Sequence, residues 1–152
     1  AVHLLISKFS GREETGGQGA AIAAYRLTPD VGIAVDVSFA KSPDTREEET
    51  GNMGGGVMIG YAVPLDKALS DRMVELARKG GIPYQIEVIG GRSTGTNADE
   101  IVVTRGGVKC ACLSIPQLYM HTPIEVVQLS DIEATAKLIA AFLREGGDKP
   151  AV

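Results

Sequence analysis

A chain of 152 residues, 44% of them hydrophobic and 22% charged, has the composition of one folded globular domain rather than a disordered tail. Its 15 Lys+Arg against 19 Asp+Glu leave a net charge of -4, without the basic excess that marks most nucleic-acid binders. No apolar run approaches the ~18 residues of a membrane span, so neither nucleic acid nor membrane is an expected partner.

Along the chain, Leu4 to Phe9 reads as a short buried strand closed by Ser10-Gly11. Gly17 to Leu27 is rich in helix formers and stops before Thr28-Pro29-Asp30. Val31 to Val37 predicts a second strand, and Ser38 to Gly56 a long loop holding Glu47-Glu48-Glu49 and Gly54-Gly55-Gly56. Val57 to Tyr61 predicts a third strand. Leu65, Leu69, Met73, Leu76 and Ala77 fall at helical spacing, with Asp66 as N-cap and Gly80-Gly81 as the stop. Tyr84 to Ile89 alternates as a strand, Asn97 to Thr104 forms a short helix ended by Gly106-Gly107, and Val108 to Ile115 is a core strand. Ser130-Asp131-Ile132-Glu133 reads as a capping box that opens a last helix running to Gly146. Strands alternating with helices give an α/β sandwich, with helices on a mixed, largely parallel sheet.

The two cysteines, Cys110 and Cys112, are two apart on a strand and share one face, where core packing suits them better than a disulfide. The N-terminal residues lack a charged n-region, and the expected compartment is the reducing cytoplasm. Nineteen glycines exceed the usual ~7% share and imply many tight turns.

Candidate chemistry gathers at strand ends, where open α/β sheets place their sites. Glu13 and Glu14 follow the first strand, Asp36 comes near the end of the second, and His121 follows the cysteine-bearing strand. Carboxylates and a neutral imidazole form an ordinary ligand set for zinc or a similar divalent ion. Each also has a plainer reading: a solvated Glu pair, an Asp that caps a turn, a hydrogen-bonded structural histidine. His3 has no neighbouring co-ligand and reads as structural. The Glu47-Glu48-Glu49 run reads as a solvated loop face. Gly54-Gly55-Gly56 lacks the Lys-Ser/Thr of a phosphate loop and reads as a turn.

The same residues carry a family resemblance. Glu13-Glu14-Thr15-Gly16-Gly17-Gln18-Gly19-Ala20 resembles the Glu-Glu-x-Gly-x-x-Gly-Ala signature of the dinuclear metallo-aminopeptidases called glutamyl, deblocking or tetrahedral aminopeptidases, some of them also labelled endoglucanase M or cellulase M. Ala34-Val35-Asp36-Val37-Ser38 is similar to the family's Val-Asp-Val-Thr segment. Ile82-Pro83-Tyr84-Gln85 and Gly95-Thr96-Asn97-Ala98 follow in family order. Leu113-Ser114-Ile115-Pro116 and Tyr119-Met120-His121-Thr122-Pro123-Ile124-Glu125 resemble the Ser-Ile-Pro and Tyr-x-His-Ser-x-x-Glu block. The likeness runs from about Leu4 to Leu143.

The resemblance implies a peptidase that removes N-terminal residues from peptides with a free N-terminus, using two divalent metals, zinc or cobalt. Glu13 would be the general base, Glu14 and His121 would bind one metal, and Asp36 the other. A homo-oligomer is implied as well. The family is longer, with a His-x-Asp motif and a metal-bridging Asp upstream of Glu-Glu, and with an inserted assembly domain. Residues 1–152 therefore read as the C-terminal portion of the catalytic domain, without the N-terminal portion and the insert. On its own, such a chain is expected to bind metal weakly and to lack peptidase activity. Asn97 stands where the family's loop usually has an Asp, and Arg12 precedes Glu13 where a smaller or neutral polar residue is usual. The alternatives are a non-catalytic remnant serving assembly or binding and, further off, an endoglucanase. The last fits poorly with a chain that has no Trp to form a sugar platform.

Overall fold

The computed structural model describes residues 4–7, 16–43, 45 and 50–146. The elements run β1 (Leu4–Ser7), α1 (Gln18–Leu27), β2 (Val31–Phe39), β3 (Val57–Tyr61), α2 (Lys67–Gly80), β4 (Tyr84–Val88), α3 (Ala98–Val102), β5 (Lys109–Leu118), β6 (Val126–Val127) and α4 (Leu129–Arg144). The sheet order is β1-β2-β5-β3-β4, with β6 paired to β5. β1, β2 and β5 run parallel, as do β3 and β4, and the two groups meet antiparallel where β3 pairs β5. The expected mixed, largely parallel sheet is what forms.

Strand alternation decides which helices cover which face. On one face Val31, Ile33, Val57, Ile59, Ala111 and Leu113 pack against α2 and α4 through Met73, Leu76, Leu138 and Phe142. On the other face Ala34, Cys110 and Cys112 pack against α1 and α3 through Ala20, Ala24, Ala98 and Ile101. The second layer is built of small residues, so these two short helices sit close to the sheet. Gly17, at the start of α1 with φ +57°, lies close to α3 as well: a Cβ there would come within 2.7 Å of the Glu100 side chain. Both thiols are free and buried, as expected from their spacing.

Helix α2 follows its sequence signals closely. Asp66 accepts the Leu69 N–H at 2.8 Å as N-cap, and Gly81 ends the helix in the left-handed conformation at φ +61°. The capping box at Ser130 is not formed. Helix α4 begins at Leu129 after Gln128, which makes no side-chain cap, so Ser130 lies already inside the first turn. Asp131 turns elsewhere: its two carboxylate oxygens accept the N–H groups of Gly54 and Gly56, each at 2.8 Å. A carboxylate at a helix start is drawn to the stronger claim of two unpaired backbone donors in a tight turn. That turn is needed because Gly56 has φ +91° and a Cβ there would lie 2.0 Å from the Pro83 carbonyl oxygen.

Two strands are longer than their apolar runs suggest. β2 continues through Ser38 to Phe39, and β5 through Pro116 to Leu118. They extend together, paired in register up to Phe39 and Gln117. The polar residues near their ends are thereby held on rigid strand rather than in loop.

Candidate functional site

Parallel β1, β2 and β5 present their C-terminal ends at one edge of the sheet. Asp36 lies on β2, three residues before its end, and His121 lies three residues beyond the end of β5. The two candidates thus come from neighbouring strands and the same edge. Glu13 and Glu14, together with His3 and the Glu47-Glu48-Glu49 run, lie outside the described residues. The chain enters the Glu13-Glu14 segment from β1, which runs beside β2 with Ser7 paired to Ala34.

Asp36 is half-buried, and its Oδ1 accepts the N–H of the following residue, Val37, at 2.8 Å. That bond fixes the carboxylate against its own strand. Asp36 is aligned with Ser114 on β5, and alternation puts both side chains on the α1/α3 face. His121 is exposed and occupies a left-handed backbone conformation at φ +63°, as does Tyr119 at φ +61°. Two non-glycine residues in that region within three positions store strain, of the order of 1–3 kcal/mol each. The turn is held by Glu125, whose Oε1 accepts the His121 N–H at 2.8 Å, and by Thr122, whose hydroxyl donates to the Ile124 carbonyl at 2.8 Å. Glu125 is thus a positioning residue for the histidine loop.

A carboxylate and an imidazole are donors that zinc and cobalt accept, so the described part of the set fits such an ion. Among the described residues no group of three or more His, Cys, Asp and Glu stands together to hold one, and a catalytic zinc takes about three protein ligands.

Beside Asp36 the sheet opens into a cavity of about 520 Å³, lined by Ser38, Phe39, Glu87, Gly90, Thr94 and Ser114 among others. Sequence reading missed Glu87. It sits on β4, only 7% exposed, and accepts hydrogen bonds from the hydroxyls of Ser38 and of Ser114, the latter at 2.7 Å. The alternation of β4 could not have found it, because the structure inverts the ordinary pattern there. The apolar Ile86 and Val88 are 50% and 65% exposed, while the acid between them is buried. The rim is stiffened by Asp99, which accepts from the hydroxyls of Ser93 and Thr94 and from the N–H groups of Thr94 and Gly95. Burial pushes the Asp99 carboxyl up, but those donors together outweigh it and hold it below its ordinary value.

Known proteins share this architecture. The lysyl aminopeptidase of Pyrococcus furiosus is 38% identical over 136 residues, which cover 90% of this chain and 39% of that protein. Aminopeptidase APDkam598 from the archaeon Desulfurococcus kamchatkensis superposes with a TM-score of 0.80 at 35% identity, over 88% of this chain and 39% of its own. The TET1 peptidase of Pyrococcus horikoshii, which can assemble into a tetrahedron or a large octahedral shell, superposes with a TM-score of 0.67 at 30% identity, over 86% and 38%. The chain spans about two-fifths of the length of each of these relatives. The family description M42 glutamyl aminopeptidase matches residues 3–138, nearly the whole chain, with the Glu13-Glu14, Asp36 and His121 positions inside the match. This chain belongs to the M42 glutamyl aminopeptidase family.

Proposed function

We propose that this chain is the C-terminal portion of the catalytic domain of a metal-dependent aminopeptidase that removes N-terminal residues from peptides with a free N-terminus. The observation that supports the reading is that β2, which carries Asp36, and β5, which leads to His121, are neighbours in parallel and end at one sheet edge, in a chain of this family. Glu14 and His121 would hold one divalent ion and Asp36 a second, zinc or cobalt, with the remaining ligands from residues upstream of this segment in the complete subunit. Bound there, such ions lower the pKa of an attacking water and polarise the scissile carbonyl.

The chain's own residues do the rest. Glu13 takes the proton from the attacking water and passes it to the leaving amine, which a carboxylate that ligates no metal is free to do. The Val37 N–H fixes the aim of the Asp36 carboxylate, and Glu125 fixes the loop that carries His121. Assembly into a homo-oligomer is part of the proposal, by likeness to the assembling TET1 peptidase. Residence in the cytoplasm fits two free, buried thiols.

Steady-state kinetics on the complete enzyme test the reading. Glu13→Gln should lower kcat by about 10²–10⁴-fold while elemental analysis finds the metal content unchanged. Retained turnover in Glu13→Gln, or metal lost with the activity, would contradict the role given to Glu13.

A further inference from the structure

Resting on the aminopeptidase reading, we propose that Glu87 is a positioning residue for the metal edge: its carboxylate ties the ends of β2 and β5 to β4 and so fixes the strand that carries Asp36 and the strand that leads to His121. The need for such a tie lies in the pairing. Among the described residues β1 pairs with β2 only as far as Ala34, and β3 meets β5 only at Ile59↔Leu113 and Met58↔Ser114. Beyond those points β2 and β5 run on as a pair up to Phe39↔Gln117, with the two-residue β6 beside the last residues of β5. Asp36 lies in this extension. A two-stranded ribbon twists more strongly than the body of a sheet, whereas ligands drawn from different strands must hold their places to within about 0.5 Å.

Glu87 supplies the third anchor. Its Oε1 accepts the Ser38 hydroxyl, and its Oε2 accepts the Ser114 hydroxyl at 2.7 Å. Ser38 stands two residues beyond Asp36 on β2, and Ser114 is in register with Asp36 on β5, so the two bonds flank the candidate ligand. The residue aligned with Glu87 on β3 is Gly60, which sets no side chain between the carboxylate and the serines. A carboxylate only accepts, so both hydroxyls donate to it and the two strand ends share one fixed point. Glu87 is 7% exposed, and burying an acid is a costly way to fill space that an apolar side chain would fill more cheaply. What the acid supplies and an apolar residue does not is a defined separation between three strands.

The test uses the complete enzyme and its Glu87→Met, Glu87→Gln and Ser38→Ala variants. In the metal-free form, hydrogen exchange of the backbone amides of residues 37–40 and 115–118 should quicken by about tenfold or more in Glu87→Met. Exchange in α2 should stay at the wild-type rate, which a general loss of stability would not allow. Glu87→Gln can still accept from one serine and donate to the other, so it should return both segments to within about threefold of wild type. Ser38→Ala, a milder change that cuts only the bond to β2, should quicken residues 37–40 more than residues 115–118. In kinetics, Glu87→Met should lower kcat by about tenfold to a hundredfold on lysyl- and leucyl-anilides alike, with KM within about twofold of wild type. Strand ends that exchange as in wild type in Glu87→Met and Ser38→Ala, loosening spread evenly over the molecule, or a Gln variant no better than Met would overturn the proposal. Loosened strand ends with kcat unchanged would remove the role at the metal edge. A wild type that cleaves no aminoacyl-anilide would overturn the aminopeptidase reading instead, while the exchange rates, which need no substrate, still decide the tie.

Discussion

Polar residues in this chain are explained by what surrounds them, and that is where the sequence is least legible. Asp36 follows the apolar run Ile33-Ala34-Val35, a setting in which an acid risks burial, and it does lie half-buried on the strand. Glu87 gave a weaker signal, because in Tyr84-Gln85-Ile86-Glu87-Val88 the alternation alone assigns the polar residues to solvent. Only the hydroxyls of Ser38 on β2 and Ser114 on β5, which reach Glu87 across the sheet, reverse the assignment. Cys110 and Cys112 were legible because a free thiol in an apolar run is most at home in a core. Burial pushes both thiols up from 9.0 to about 12. In the unfolded chain they release protons near the lower value, so between the two the folded state holds more protons. Their contribution to stability is therefore complete below pH 9 and declines as pH rises toward 12. Ellman's reagent at pH 8 should leave both thiols of the native protein unmodified and react at once when denaturant is added. Rapid labelling of the native protein would contradict their burial.

Elements with strong local signals were legible to within a residue or two. Helix α2 has its apolar stripe, its Asp66 cap and its Gly81 stop, and all three act as the sequence suggests. Helix α4 was legible as a helix but not in its cap, because Asp131 serves a turn more than seventy residues upstream. That long-range bond has no local trace. It ties α4 to the turn before β3, and Asp131 is fully buried there. In the complete subunit Asp131→Ala should destabilise the fold by about 2–4 kcal/mol, since two backbone donors lose a charged acceptor. Asp131→Asn should cost less, because one acceptor survives. Calorimetric melting that leaves the Tm of Asp131→Ala unchanged would show that the clamp carries no stability. The short β6 was missed for a similar reason. Val126 and Val127 are only two residues, and what makes them a strand is the far end of β5 beside them.

At the scale of the molecule, a mixed sheet with helices on both faces was legible from the alternation of elements, and the family from a set of ordered motifs. The candidate site was legible only as residue types at strand ends, because the candidates are distant in sequence and only the parallel pairing of β1, β2 and β5 brings the ends of those strands to one edge. The chain covers 39% of the length of its lysyl aminopeptidase relative. On the proposed division, with Glu14, Asp36 and His121 shared between two ions, the isolated 152-residue chain would have too few ligands for a tight catalytic site. Calorimetric titration of that chain with zinc should show weak binding, and two tight sites would contradict the division of ligands proposed here.

The most direct measurement is an anomalous-difference map from crystals of the complete enzyme soaked in zinc or cobalt. The expected result is two metal peaks at the edge where β2 and β5 end, one within about 2.0–2.2 Å of His121 and Glu14 and the other within the same distance of Asp36, with Glu13 nearby and bound to neither. Metal bound elsewhere, or Asp36 and His121 facing separate surfaces with no ion between them, would contradict the account.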